Sequence, residues 1–540
     1  MQTATATSRS RWWGQALQNK FIALVLAMVV AVPLLASPAD LRIVGIAALT
    51  FETFALSLAV TLLWRSRWSL GREQIATFIR TGANLPVLLL MGLALVSCAF
   101  APNKMFAVQE TLKLGAGVLL YFVVAYQFRQ SKHLLMLVDA LIFLAVTVSF
   151  LAMGQYTLSE TALAGERGTA LFGNQQPLGS LLMILLPVVA VMAITEKQLS
   201  RRQIAAQVAT IMTAGALLLA HTRSAWIGAI AGFMVLAIVA IATSKSNKTD
   251  SHRSGRRHQK SHSAVQLVGL AAQKHKMVLP VMLAVVTLGF FAGLKMQNSA
   301  IFDRASTLSK VSTDMSFQGR VNKEWHGAIK MIQARPLTGW GVGQYPVYQH
   351  NFTGVGRSTT AIGSFSTRSS MAEQAHNFYL QTGAELGLPG LVLFLTVLGA
   401  FLFSAVRRVG TMDPGVRRSL LMGSIGAVAA FSFDAISSPS WQYGQVSMFF
   451  WLILGAGVGC LRSRAKQEEE AVVVAVSPSL ARPVALGVAT LLFVMALLPT
   501  APKATAKTKY PEPPGSCGPN QVFDAEKGQC VGKGTLNNPK

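Results

Sequence analysis

The stretch Glu373-Gln374-Ala375-His376-Asn377-Phe378-Tyr379-Leu380 continues through Glu385-Leu386-Gly387-Leu388-Pro389-Gly390 into an apolar run that reaches Val406. It sets an ionisable His beside water at the mouth of a segment long enough to cross a bilayer, for which about 20 apolar residues suffice. The longest hydrophilic excursion that reads as lying outside the membrane ends at this point. The stretch therefore reads as the junction between a water-facing loop and a membrane helix, with chemistry at the rim.

Composition agrees with a membrane fold. Of the 540 residues 52% are hydrophobic and only 13% charged, and runs of spanning length recur along the chain. The fold class is all-α and polytopic. A net charge of +26 would suit a nucleic-acid partner, but most Lys and Arg stand in short connections between apolar runs, where they set topology. That placement argues against nucleic-acid binding.

A basic flank of Arg9, Arg11 and Lys20 precedes the run Phe21 to Ala36. Pro38 spoils the small-residue cleavage pattern of a signal peptide and a second run comes at once, so residues 1–20 read as a cytoplasmic tail before a retained span. Further runs lie at Ile43 to Trp64, Leu85 to Phe100, Leu112 to Phe128, Leu134 to Met153, Leu178 to Thr195, Ile204 to Thr222, Ala225 to Thr243 and Met277 to Leu294. These make nine spans within residues 21–296. Leu388 to Val406, Leu420 to Ile436 and Val446 to Leu461 complete twelve within residues 386–461. Every second connection is basic, as with Arg65 and Arg67, Arg129 and Lys132, Arg201 and Arg202, or Arg407 and Arg408, and the positive-inside rule places these in the cytoplasm.

Residues 462–483 then form a cytoplasmic linker, and Val484 to Leu498 a thirteenth span that leaves the tail 499–540 outside. Cys517 and Cys530 stand in that tail, the two Cys outside predicted spans. An oxidising compartment would close them into a small disulfide loop.

The same topology puts a large helical loop, residues 297–385, outside between the ninth and tenth spans. Its Arg304, Lys310, Arg320, Lys323, Lys330, Arg335, Arg357 and Arg368 outnumber its acids. Long loops escape the charge rule, so either an anionic substrate or a solvated surface near anionic lipid accounts for the excess. Arg320 to Arg335 reads as an amphipathic helix with Val321, Trp325, Ile329 and Ile332 on one face and Pro336 ending it. Arg320 would stand at its start, where free N–H groups and a guanidinium together suit a diphosphate, with a solvent-exposed Arg the alternative. The alternating glycines of Pro336-Leu337-Thr338-Gly339-Trp340-Gly341-Val342-Gly343 suit a tight, closely packed turn.

Glu373 precedes His376 by three residues, so on a helix the carboxylate could orient the imidazole. Thr222-Arg223-Ser224 leaves almost no room for a loop between the seventh and eighth spans, which sets Arg223 at the outer end of a tight hairpin. An ionisable group at such depth is functional by default, with snorkelling to the headgroups the alternative. There is no H-E-x-x-H, no paired Cys/His cluster and no P-loop, so neither a metal nor a nucleotide cofactor is expected.

These pieces resemble the O-antigen ligase family of bacterial envelope glycosyltransferases, with the related O-antigen polymerases and protein O-oligosaccharyltransferases. The likeness rests on Phe172-Gly173-Asn174-Gln175-Gln176-Pro177-Leu178, Thr222-Arg223-Ser224-Ala225-Trp226, Gly319-Arg320 with Trp325, Pro336 to Gly341, and His376-Asn377 with the Glu385 to Gly390 element. It covers roughly residues 170 to 400, and the thirteenth span and tail stand outside it. The resemblance implies a GT-C-like fold in the bacterial inner membrane, with the site facing the periplasm. It implies a glycan donor on undecaprenyl diphosphate, a lipid A core acceptor, and inverting transfer without cofactor. Arg223 and Arg320 would hold the diphosphate and His376 would act on the acceptor hydroxyl. Glu373, Asn377, Asn174, Gln176 and Trp340 would support or position substrate.

A polymerase would use the same donor and much the same site. A transporter or flippase is the rival of a different kind, but ionisable residues are few within the spans and cluster at one surface, whereas a transport path places them near the midplane.

Overall fold

The structure, a computed structural model, describes residues 22–33 in part, 82–158 except Arg129, Phe172, 175–196, 200–251, 315–353, 374–461, 521–524 and 529–532. The predicted second, ninth and thirteenth spans lie outside these residues, as do Glu373, Asn174 and Cys517. The expected disulfide is therefore outside them too.

The helices are α1 Asn84–Phe100, α2 Lys104–Gln127, α3 Ser131–Leu158, α4 Gln175–Thr195, α5 Arg201–Leu219 and α6 Arg223–Ser251, then α7 Met315–Gly319, α8 His326–Ala334, α9 Tyr345–Tyr348 and α10 His350–Thr353, and finally α11 Phe378–Val409, α12 Val416–Asp434 and α13 Gly444–Leu461. Seven of them, α2 to α6, α11 and α13, are long and apolar enough to cross a membrane. Helices α1 and α12 also stand where spans were expected. Apart from a short antiparallel hairpin, β1 Gln521–Asp524 with β2 Gln529–Gly532, the described chain is helical.

Helices α4 and α13 are buried almost all round, as helices apolar on every face must be. Around them α12 packs on α4 and α6, α13 on α2, α5 on α3 and α4, and α11 on α1. Small residues let backbones approach where no hydrophobic force acts between helices. Gly228 and Gly232 of α6 face Gly426 and Ala430 of α12, and a methyl on Gly232 would lie 2.6 Å from the Gly426 carbonyl. Ile22, Val25 and Val29 of the first predicted span join the same apolar core.

The connections sort by end. At one end the turns from α1 to α2 and from α12 to α13 meet the segment before α9 and the start of α11, through Asn103 N to Gln344 Oε1 (3.0 Å) and Phe378 N to the Ala435 carbonyl (2.9 Å), and the turn from α5 to α6 meets the start of α4 through Thr222 Oγ1 to the Gln175 carbonyl (3.1 Å). The basic pairs Arg201 with Arg202, Arg407 with Arg408 and Arg417 with Arg418 stand at helix ends on the far side. There Arg202 also clamps Asp139 of α3 at 2.6 and 2.9 Å.

Candidate active site

The Gly-rich turn and the start of α11 are sewn together by backbone bonds. Trp340 N donates to the Ala384 carbonyl (2.9 Å), Gly341 N to that of Glu385 (2.9 Å), and Leu388 N to that of Pro336 (2.7 Å). Gly339, Gly341 and Gly343 have φ of 64°, 109° and 69°, values that only Gly adopts without strain. A side chain at Gly339 would run into the Glu385 carbonyl. Gly387, at φ 71° and ψ −178°, interrupts α11 before Pro389. The segment Phe378 to Leu386 therefore belongs to the site, and the apolar run begins beyond the break.

Glu385 completes the join from inside. Its buried carboxylate accepts from Gly343 N (2.9 Å), Tyr345 N (3.2 Å) and Gln381 Nε2 (3.2 Å). Trp340 lies in the small core beneath, with Ala328, Met331, Tyr345, Ala375 and Ala384. Its indole N–H donates to the Met331 carbonyl (2.9 Å) and Arg335 stacks on its ring at 4.2 Å.

Arg320 is not at a helix start. Helix α7 precedes it and α8 comes after, joined through a π-helical turn, Arg320–Trp325. Its backbone N–H is thus no free N-terminal donor, and the expected help from a helix terminus is lost. Gly319 before it is helical, at φ −57° and ψ −41°. A π turn admits an extra residue and so rotates the downstream helix by about 100°. The face expected from α periodicity shifts accordingly. Gly327, Ala328 and Met331 are buried, while Ile329 is 41% exposed.

The guanidinium of Arg320 donates through Nη1 to the Ser437 carbonyl (3.2 Å), in the connection between α12 and α13. Four residues on, nearly one turn of the π-helix, Glu324 Oε2 lies 2.9 Å from His376 Nδ1. Glu373 was expected to meet this ring; among the described residues the carboxylate against it is Glu324. The two are in close polar contact, but Glu324 Oε2 takes part in no hydrogen bond. Nδ1 also lies 3.3 Å from the Gln374 carbonyl.

His376 is 2% exposed and not helical. Its φ of 46° is a conformation that costs a non-Gly residue on the order of 1–3 kcal/mol and collects at functional sites. Asn377 is next, as the N-cap of α11, its Oδ1 accepting from Leu380 N at 3.0 Å, which fixes the chain direction right after the His. Tyr379 Oη donates to the Ser432 carbonyl (2.8 Å). The His-bearing segment and the Arg-bearing turn therefore rest on one support, the end of α12.

That support holds residues that local sequence patterns do not single out. Asp434, fully buried, accepts from Ser180 Oγ of α4 (3.0 Å) and from Ser440, while Ser438 and Ser440 are 2.6 Å apart. Tyr443 Oη donates to Gln176 Oε1 (2.9 Å). Burial raises the Tyr443 phenol well above its ordinary range, against the opposing pull of the Arg320 cation and with the help of Asp434. It stays a neutral donor. Lys113 of α2 reaches Gln442 Oε1 (3.2 Å) while paired with Glu110. An ionisable residue inside an apolar run was the available signal for Asp434.

Arg223 opens α6 after a connection of only Ala220, His221 and Thr222, so the tight hairpin is observed. It is half-buried. His221 turns the chain there at φ 50°, and Thr222 Oγ1 ties the hairpin to the start of α4, one residue from Gln176. Arg223, Gln176, Tyr443, Arg320 and His376 thus all belong to elements that meet at one end of the bundle.

Residues 208–395 match the family model described as O-antigen ligase, in agreement with the resemblance read from the motifs. The matched stretch holds Arg223, Arg320, Glu324, Trp340 and His376, and stops before Asp434 and Tyr443. No curated protein matches the chain. The family match supports a multi-pass membrane glycosyltransferase of ligase or polymerase type.

Proposed function

We propose, from the premise that residues 208–395 belong with the O-antigen ligases, that this enzyme transfers a glycan from undecaprenyl diphosphate to a hydroxyl of lipid A core. The reaction would invert the anomeric carbon and run at the periplasmic face of the inner membrane. The basic connections at the far end of the bundle support that orientation.

A polyprenyl diphosphate is already a good leaving group. The protein must chiefly stabilise the charge that grows on it and align the attacking oxygen. Arg320 and Arg223 suit the first task, since a guanidinium keeps its charge and can grip phosphate oxygens in pairs. His376 suits the second, receiving or steering the acceptor proton. Gln176, bonded to Tyr443, and Asn377, capping α11, would help position substrate. Trp340 acts by holding the Gly-rich turn. The observation that carries the reading is the meeting of Arg320, on the π turn, with the strained His376 on the end of α12.

The test is the electrophoretic profile of lipopolysaccharide and of lipid-linked glycan from cells carrying His376→Ala. Bare lipid A core, with long glycan accumulating on its carrier, is the expected result. Core capped by a single repeat would turn the reading to a polymerase. An unchanged profile from folded, expressed mutant would remove His376 from the reaction.

A further inference from the structure

We infer that Glu324 is the positioning residue of the site: it holds the His376 proton on Nδ1 and so leaves Nε2 bare to face the acceptor hydroxyl. The inference deepens the glycosyl-transfer reading and rests on it for the role of Nε2. The placement of the proton does not depend on it.

Two oxygens approach Nδ1, Glu324 Oε2 at 2.9 Å and the Gln374 carbonyl at 3.3 Å. Neither a carboxylate nor a peptide carbonyl can donate a hydrogen bond. A neutral imidazole carries one N–H, and with acceptors against Nδ1 that proton belongs there; the other nitrogen is then the base. Glu324 also stabilises the imidazolium once Nε2 has taken a proton, as the buried carboxylate does in a Ser-His-Asp triad.

The backbone that carries Glu324 is itself held. Tyr345 Oη donates to the Glu324 carbonyl (3.1 Å), and Tyr345 N donates to Glu385, so the join between the Gly-rich turn and α11 also fixes the residue that orients the ring. The π turn supplies the rest of the geometry. It aims Arg320 at the end of α12 and Glu324 at His376 from nearly the same face. The group proposed for the leaving diphosphate and the group that sets the base thus sit on a single turn of backbone.

The experiment is nitrogen-15 NMR of the full-length protein in lipid nanodiscs, with the His376 ring assigned by comparison with His376→Asn. It is run on wild type and on Glu324→Gln, beside turnover with lipid-linked glycan and lipopolysaccharide core. Wild type should show Nδ1 protonated and Nε2 bare. Gln keeps the shape but removes the negative charge, which leaves the Gln374 carbonyl to hold the Nδ1 proton less firmly, so a share of the proton should pass to Nε2. Turnover should fall about 10²-fold or more with KM for the donor unchanged, as removal of a base's orienting carboxylate does elsewhere. Proton placement that is the same in both proteins overturns the inference whatever reaction the enzyme performs. So does full turnover by Glu324→Gln. A moved proton, with no glycan transfer even by wild type, would keep the pairing and sink the reading of the reaction instead.

Discussion

Glycines do opposite work in the bundle interior and in the cap that holds the site. In the interior, Gly228 and Gly232 sit in regular helix and matter for what they lack, since any side chain would press on α12. In the cap, Gly339, Gly343 and Gly387 matter for the backbone they permit, with φ between 64° and 71°. The bundle is held by close contact along long surfaces, each contact replaceable in part. The cap is held by a few backbone bonds whose donors and acceptors meet only if every turn takes its one allowed shape. Its tolerance for change should be correspondingly lower.

Gly339→Ala is the most severe way to try that contrast. The left-handed backbone would cost about 1–2 kcal/mol before the collision with the Glu385 carbonyl, and the join to α11 should fail. Little monodisperse protein and no turnover are expected by size-exclusion chromatography and glycan transfer; normal yield would mean the cap is as forgiving as the bundle. Arg320→Ala or Arg223→Ala should leave a folded protein and lower turnover by about 10² to 10³, the scale of losing one group that stabilises transition-state charge. Full rate from either purified variant would strike that residue from the mechanism.

On the bundle side, Gly232→Val should overpack the contact of α6 with α12 and cost about 1–3 kcal/mol. A lower melting temperature in detergent, with activity per folded molecule preserved, is the pattern expected of an interior glycine. If activity collapsed instead, the two regions would be coupled more tightly than their packing implies. The smallest effect should come from Trp340→Phe, which keeps an aromatic ring beside Tyr348 and Phe352 but gives up the bond to Met331, worth about 0.5–1.5 kcal/mol. The donor KM should not move. A raised KM would bring the indole into contact with substrate.

The helices of the bundle were legible because bilayer thickness imposes a length and an apolar composition that show in any window of sequence. Predicted and observed bounds for α1, α4 and α13 differ by three residues or fewer at each end. The glycine turn was legible for a related reason, since few residues besides Gly take such backbone. Glu324 was not. Its partner lies 52 positions away, and the extra residue of the π turn leaves a helical pattern that looks ordinary in sequence while turning its buried face from Ile329 to Ala328 and Met331. Asp434 was visible as a charge in an apolar run, but its serine partners come from α4 and from the connection after α12, which no local pattern joins.

The π turn also sets how this enzyme can change length. Insertions and deletions are ordinarily absorbed in loops, and a helix that loses one residue suffers a break in its downstream register. Here the reverse holds for the backbone: removing one residue between Arg320 and Trp325 would let α7 and α8 relax into an unbroken α-helix with its ladder intact. The cost would fall on aim: Arg320 and Glu324 would still share a helix face, but α7 and α8 would turn by about 100° relative to one another, so Arg320 could not keep Ser437 while Ala328 and Met331 stay buried. A homologue one residue shorter in this turn would be a sound helix with a dismantled site, which makes the length of this segment a marker of activity that identity scores would overlook.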